Sequence, residues 1–131
     1  MNEKTTHEYK EVIATCKELF ARKTQDYGTA WRVLRLPSIT DQILIKAQRI
    51  RSIQEKGVQK VDDPIKDEFI GIINYCVIAM IQLQLKDSDT LEMNFKELEP
   101  LYDQAVTETF ELLQNKNHDY DEAWREMRVS S

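Results

Sequence analysis

Apolar residues recur along this chain at the three-and-four spacing of helices that bury one face, in four separate runs. The first run is Tyr9, Val12, Ile13, Cys16, Leu19 and Phe20, preceded by Thr5-x-x-Glu8, the spacing of a capping box. It predicts a helix from Thr5 to about Lys23. The second run, Ile39, Ile43, Leu44, Ala47, Ile50 and Ile53, starts after Ser38-x-x-Asp41, a second capping-box spacing, and stops at Gly57. The third follows Asp63-Pro64, an N-cap with proline at the first helical position, and reaches about Leu85. Its residues Ile65, Phe69, Ile72, Ile73, Cys76, Val77, Met80 and Ile81 are apolar on most sides, so it is expected to be the central helix. The fourth carries Leu101, Ala105, Leu112 and Leu113, with Pro100 expected in its first turn and an end near Asn117. No segment alternates with the period of a strand.

Between the first two helices, Asp26-Tyr27-Gly28 is a turn signal, with Trp31 and Leu34 on a short helical turn before Pro37 breaks the run. This stretch recurs. Residues 16–38 and 109–131 align without a gap at an offset of 93 and share 10 of 23 residues, including Asp26/Asp119, Tyr27/Tyr120, Trp31/Trp124 and Arg32/Arg125. The expected organisation is one all-α domain over 1–131: four main helices in a bundle, plus a short C-terminal helical segment that begins a second repeat. The first repeat covers about 5–85 and the second about 98–131, so that the chain would end part-way through its second copy.

Composition narrows the function. With 131 residues the chain can bury one substantial core. A net charge of −5 argues against tight binding along a nucleic-acid backbone, which needs a basic footprint. Cys16 and Cys76 are isolated in helical patterns and form neither a disulfide framework nor a zinc motif. The apolar stretch 69–85 is interrupted by Asn74, Gln82 and Gln84, too polar to span a bilayer, and the N-terminus lacks the apolar core of a signal peptide. A cytoplasmic location is expected.

Three groups of residues could carry chemistry. Asp63, Asp67, Gly71 and Asn74 lie on one stripe of the third helix, where carboxylate and amide oxygens suit a hard cation such as magnesium. Equally, Asp63 could be only a cap, Asp67 a partner of the helix dipole and Asn74 a satisfied buried amide. Lys46 and Arg49 share a face of the second helix and could grip a phosphate, or could pair with Asp67, Glu68 or Glu55. The repeated Lys23, Asp26, Tyr27 and Trp31 could stack and clamp a base, or could close the end of the core.

Taken together, Lys23-x-x-Asp26-Tyr27-Gly28-x-x-Trp31, Lys46-x-x-Arg49, Val61-Asp62-Asp63, Asp67 and Asn74-Tyr75 resemble the pattern of the nucleotide modification associated domain 1 family, in a tandem-repeat, Bacteroidetes-type form. The resemblance spans about residues 16–85. It implies an all-α fold similar to the MazG-type nucleoside triphosphate pyrophosphatases and a role in nucleotide metabolism or modification. It also implies a magnesium ion on Asp63 and Asp67, and substrate contacts from Lys46, Arg49 and Asn74. Three positions depart from the family pattern: Ile45 and Gly71 replace aspartates, and Asp63-Pro64 replaces Glu-Ser. Losing the carboxylate at Gly71 weakens a magnesium site that must also activate water. Two readings follow: a nucleotide-binding protein, a magnesium-dependent pyrophosphatase in its complete form, and a non-catalytic helical module for self-association or partner binding. The unfinished apolar face around Trp124 and Met127 favours a homodimer in either case.

Overall fold

Helix α1 spans Glu3–Tyr27 and starts earlier than the Thr5 capping box suggests, because the Asn2 side chain accepts a hydrogen bond from the Thr5 amide at 2.8 Å. The computed structural model describes residues 2–57 and 64–127. At its far end α1 stops on Gly28, whose φ of 66° and ψ of −148° suit glycine, and whose amide donates to the Thr24 carbonyl at 2.8 Å. A 3-10 turn over Ala30–Val33 follows. Helix α2 covers Leu36–Lys56, so Pro37 does not break the run but lies in the first turn, where a missing N–H is harmless. Gly57, left-handed at φ 66° and ψ 6°, ends it as expected.

Helix α3 spans Pro64–Gln84; the expected cap at Asp63 lies outside the described residues. Helix α4 spans Phe95–Tyr120. Its true start is a capping box: the Asn94 side chain accepts from the Glu97 amide at 2.9 Å, while Glu97 accepts from the Asn94 amide at 3.3 Å. Pro100 therefore lies inside the helix rather than in its first turn. A second 3-10 turn, Ala123–Glu126, closes the described chain.

The architecture is an all-α bundle, and the described residues contain no strand. Helix α3 is central, packing on α1, α2 and α4, with its most extensive contact on α2. Phe20, Ile39, Val77, Ile78, Ile81, Leu98, Tyr102 and Ala105 form the core, and Phe20 meets Tyr102 with ring centroids 4.9 Å apart. Lys17 ties α1 to α4 through Glu99 and Asp103, both at 2.9 Å, and the Asp103 hydrogen bond leads in raising its pKa above the ordinary value. No helix among the described residues is long and apolar enough to cross a membrane.

The polar interruptions in α3 have structural jobs. Gln82 is buried and donates to the Trp31, Arg32 and Leu34 carbonyls at 3.0, 3.0 and 2.9 Å, fastening the first 3-10 turn to the core. Arg32, also buried, donates to Gln82 Oε1, to the Thr90 carbonyl at 3.0 Å and to the Ser88 carbonyl at 3.2 Å. The strap between α3 and α4 is thereby bound to the same turn. Thr29 completes it, its hydroxyl donating to the Leu91 carbonyl at 2.5 Å and accepting from the Met93 amide at 3.2 Å.

The second 3-10 turn has nearly the same backbone as the first. Asp121 takes φ 53° and ψ −137° where Gly28 takes 66° and −148°, and Glu122 takes −118° and 49° where Thr29 takes −116° and 51°. Asp121 carries a strain there that glycine avoids. Anchoring differs between the two turns. Glu122 accepts from the Thr5 hydroxyl, from Asn2 at 3.1 Å and from Arg125 at 3.0 Å, and the Thr5 contact leads in holding its carboxyl below the usual carboxylate range.

Candidate functional site

One end of α1 and the turn that follows it enclose a cavity of about 380 Å³ against α2 and α3. Lys23 and Tyr27 reach its wall from one face of α1, being four residues apart. Gly28 reverses the chain so that Trp31 folds back over Phe20, at 6.3 Å between ring centroids, and forms the next part of the wall. Lys46 enters from α2, and Gly71, Asn74 and Tyr75 from α3. Five of the residues singled out from sequence, Lys23, Tyr27, Trp31, Lys46 and Asn74, therefore share one lining. It is not the largest concavity. A shallower one of about 760 Å³ lies beside Glu18, Glu92 and Glu97, but its carboxylates repel the anions that Lys23 and Lys46 attract.

The other candidates fall elsewhere. Arg49 does not line the cavity; its guanidinium is 3.7 Å from Glu68 Oε1. Asp26 and Asp67 are exposed and absent from the lining, and Asp63 lies outside the described residues. Helix α3 presents the stripe Glu68, Gly71, Tyr75 toward α2, so Glu68 rather than Asp67 meets the two cations. A helix turned by one residue rotates by 100°, which is enough to exchange these neighbours. Of the three carboxylates the sequence offered these cations, Asp67, Glu68 and Glu55, it is Glu68 that pairs with them; Tyr75, beside Asn74 in the family pattern, is the lining residue that the stripe itself leaves out.

Lys46 is held from three sides. Its Nζ lies 3.7 Å from Glu68 Oε2 and 5.7 Å from the Tyr75 ring centroid, and its stem crosses Gly71. A Cβ at position 71 would come within 2.8 Å of both Lys46 Cδ and Cε. Glu68 Oε2 is buried and takes no hydrogen bond among the described residues.

Asn74 is mostly committed to the fold. Its amide donates to the Cys16 carbonyl at 3.0 Å and its oxygen accepts from the Tyr102 hydroxyl at 2.8 Å. Burial, foremost, pushes the Tyr102 pKa up. Asn74 thus gives the cavity a rigid polar floor, with one amide hydrogen uncommitted.

The lining suits an anion with an aromatic portion better than a divalent cation. None of its described residues is a carboxylate, and among the described residues no group of three or more His, Cys, Asp or Glu could hold a metal ion. The described counterparts in the second copy are placed differently. Lys116 sits over Tyr120 at 5.9 Å, and Trp124 donates to Asn117 at 3.0 Å beside an apolar groove of about 570 Å³ between α1, α3 and α4.

The model of a protein family described as nucleotide modification associated domain 1 matches residues 23–83, just under half of the chain. That span runs from Lys23 to α3 and contains both lysines of the cavity and three of its four aromatic residues, Tyr27, Trp31 and Tyr75; Phe20 precedes it. No curated protein and no solved structure matches the chain.

Proposed function

We propose that this protein binds a nucleotide in the cavity between α1, α2 and α3. The base would lie against Tyr27 and Trp31, and the phosphate would meet Lys23 and Lys46, with Arg49 at the rim. The observation that carries this reading is the convergence of two lysines and four aromatic rings, Phe20, Tyr27, Trp31 and Tyr75, on one cavity whose described lining bears no carboxylate. The similarity to a nucleotide-related family over the same residues supports it. The pyrophosphatase chemistry implied by the MazG resemblance needs several anionic ligands to hold magnesium and activate water. The described lining supplies the cations and rings that recognition of a nucleotide needs.

A panel of nucleoside mono-, di- and triphosphates in a thermal-shift assay tests the proposal. Ligand at a hundred times its dissociation constant should stabilise the fold by about 2.7 kcal/mol, read as a rise of roughly 10 °C in melting temperature. Unchanged melting across the whole panel would remove the nucleotide reading.

Self-association is a second reading, carried by the apolar groove. Val12, Ile73, Cys76, Leu113 and Trp124 line it, and the adjoining Phe69 is 39% exposed on the same side of α3. The occupant that fits is the same face of a second copy, since a two-fold axis sets one apolar patch against itself. Light scattering should then give twice the chain mass of 15.5 kDa. The single-chain mass at high concentration would reject the homodimer.

A further inference from the structure

We infer that the Lys46 ammonium is the counter-charge for the ligand's phosphate, and that the ligand is a nucleoside monophosphate bound without a divalent metal. This rests on the nucleotide reading and adds the substrate class and the source of positive charge.

The first observation is the path of the Lys46 side chain. Its stem lies in the notch that Gly71 leaves on α3, where an added Cβ would also come within 3.1 Å of Nζ. The notch is therefore filled by a lysine, in the part of the wall nearest the Glu68 carboxylate. That carboxylate bridges Lys46 and Arg49 at 3.7 Å each. At such a distance it steers both cations electrostatically but takes none of the ammonium's hydrogen bonds. Among the described residues Lys46 donates no hydrogen bond, so its three N–H groups remain for an incoming oxygen.

Charge balance then selects the ligand. Lys23, Lys46 and Arg49 at the rim, against Glu68 and with Glu92 behind Gly28, leave a net charge of about one to two positive units, which is of the size of a phosphate monoester's charge of about −1.5 to −2 at neutral pH. A triphosphate brings more negative charge than these groups neutralise, and a magnesium ion accompanying it needs oxygen ligands that the described lining does not supply as carboxylates. The cavity volume of about 380 Å³ lies at the small end of small-molecule sites, which also favours a monophosphate over a longer polyphosphate.

Isothermal titration of adenosine, guanosine, cytidine and uridine 5′-monophosphates, each with EDTA and separately with magnesium, tests the inference. At least one should bind with affinities that agree within about twofold in the two buffers, and more tightly than its triphosphate. Lys46→Met should weaken it by roughly tenfold or more, and Lys46→Arg should restore most of that loss. Lys23→Met, at an exposed residue whose loss leaves packing intact, should also weaken binding, which guards against misreading an unfolded Lys46 variant. Binding that EDTA abolishes, or a triphosphate preferred in magnesium, overturns this inference and leaves the nucleotide reading standing. No binding of any nucleotide in either buffer overturns both.

Discussion

Replacing Arg32 with methionine is expected to lower the unfolding free energy by about 3–4 kcal/mol and the melting temperature by roughly 10–15 °C. The guanidinium is buried, yet among the described residues no carboxylate pairs with it; the Gln82 amide oxygen and the Ser88 and Thr90 carbonyls take its hydrogen bonds. Methionine fills much of the volume but leaves three acceptors without a donor; an unsatisfied buried group costs about 1–3 kcal/mol, a cost that falls most on the buried Gln82 oxygen and less on the Ser88 and Thr90 carbonyls of the exposed strap. Part of that cost is offset, because the charge no longer has to be desolvated. Equilibrium denaturation measures the difference. A loss below about 1 kcal/mol would mean that water replaces the guanidinium. Arg125, the counterpart in the second copy, makes a useful control. It is more exposed and pairs with the carboxylates of Glu8 and Glu122, so Arg125→Met should shift melting less.

Asn74→Leu should cost about 2–3 kcal/mol, although the shapes are similar, because the Tyr102 hydroxyl loses its acceptor inside the core. Tyr102→Phe alone should cost about 1 kcal/mol, and the double variant should cost clearly less than the two single losses added together. Strict additivity in denaturant melts would mean that the two side chains are not energetically coupled. This prediction also separates two roles for Asn74. As a strut it should affect nucleotide binding in proportion to stability; as a direct ligand contact it should affect binding at temperatures where the variant is still fully folded.

The periodic part of the sequence was legible, and the junctions were less so. Four apolar stripes gave four helices, and Gly57 ended α2 as its left-handed backbone requires. Pro100 suggests a later start for α4 than the one at Asn94-x-x-Glu97, where the reciprocal hydrogen bonds form, because proline is also tolerated one turn further in. Thr5-x-x-Glu8 likewise suggests a later start for α1, which one asparagine, Asn2, caps without a full box. At the cavity, residue types and spacing picked out Lys23, Tyr27, Trp31, Lys46 and Asn74, which the fold brings to one lining. Spacing alone left the rotation of α3 open, since Asp67 and Glu68 are adjacent and both follow a helical interval to Gly71. Only packing against α2 decides which carboxylate faces Lys46. The burial of Arg32 had no local signal either, as its partners lie 50 to 58 residues away.

The strap between α3 and α4 contributes to the first 3-10 turn through the main-chain oxygens of Ser88, Thr90 and Leu91 and the amide of Met93. Peptide groups are common to almost every residue type, so the identities of these amino acids are free to drift while their count is not. Inserting or deleting a single residue there would shift every oxygen out of register with Arg32 and Thr29. Related chains should accordingly vary in spelling along this segment yet keep its length, and gap placement would be a better guide to shared architecture there than residue matching.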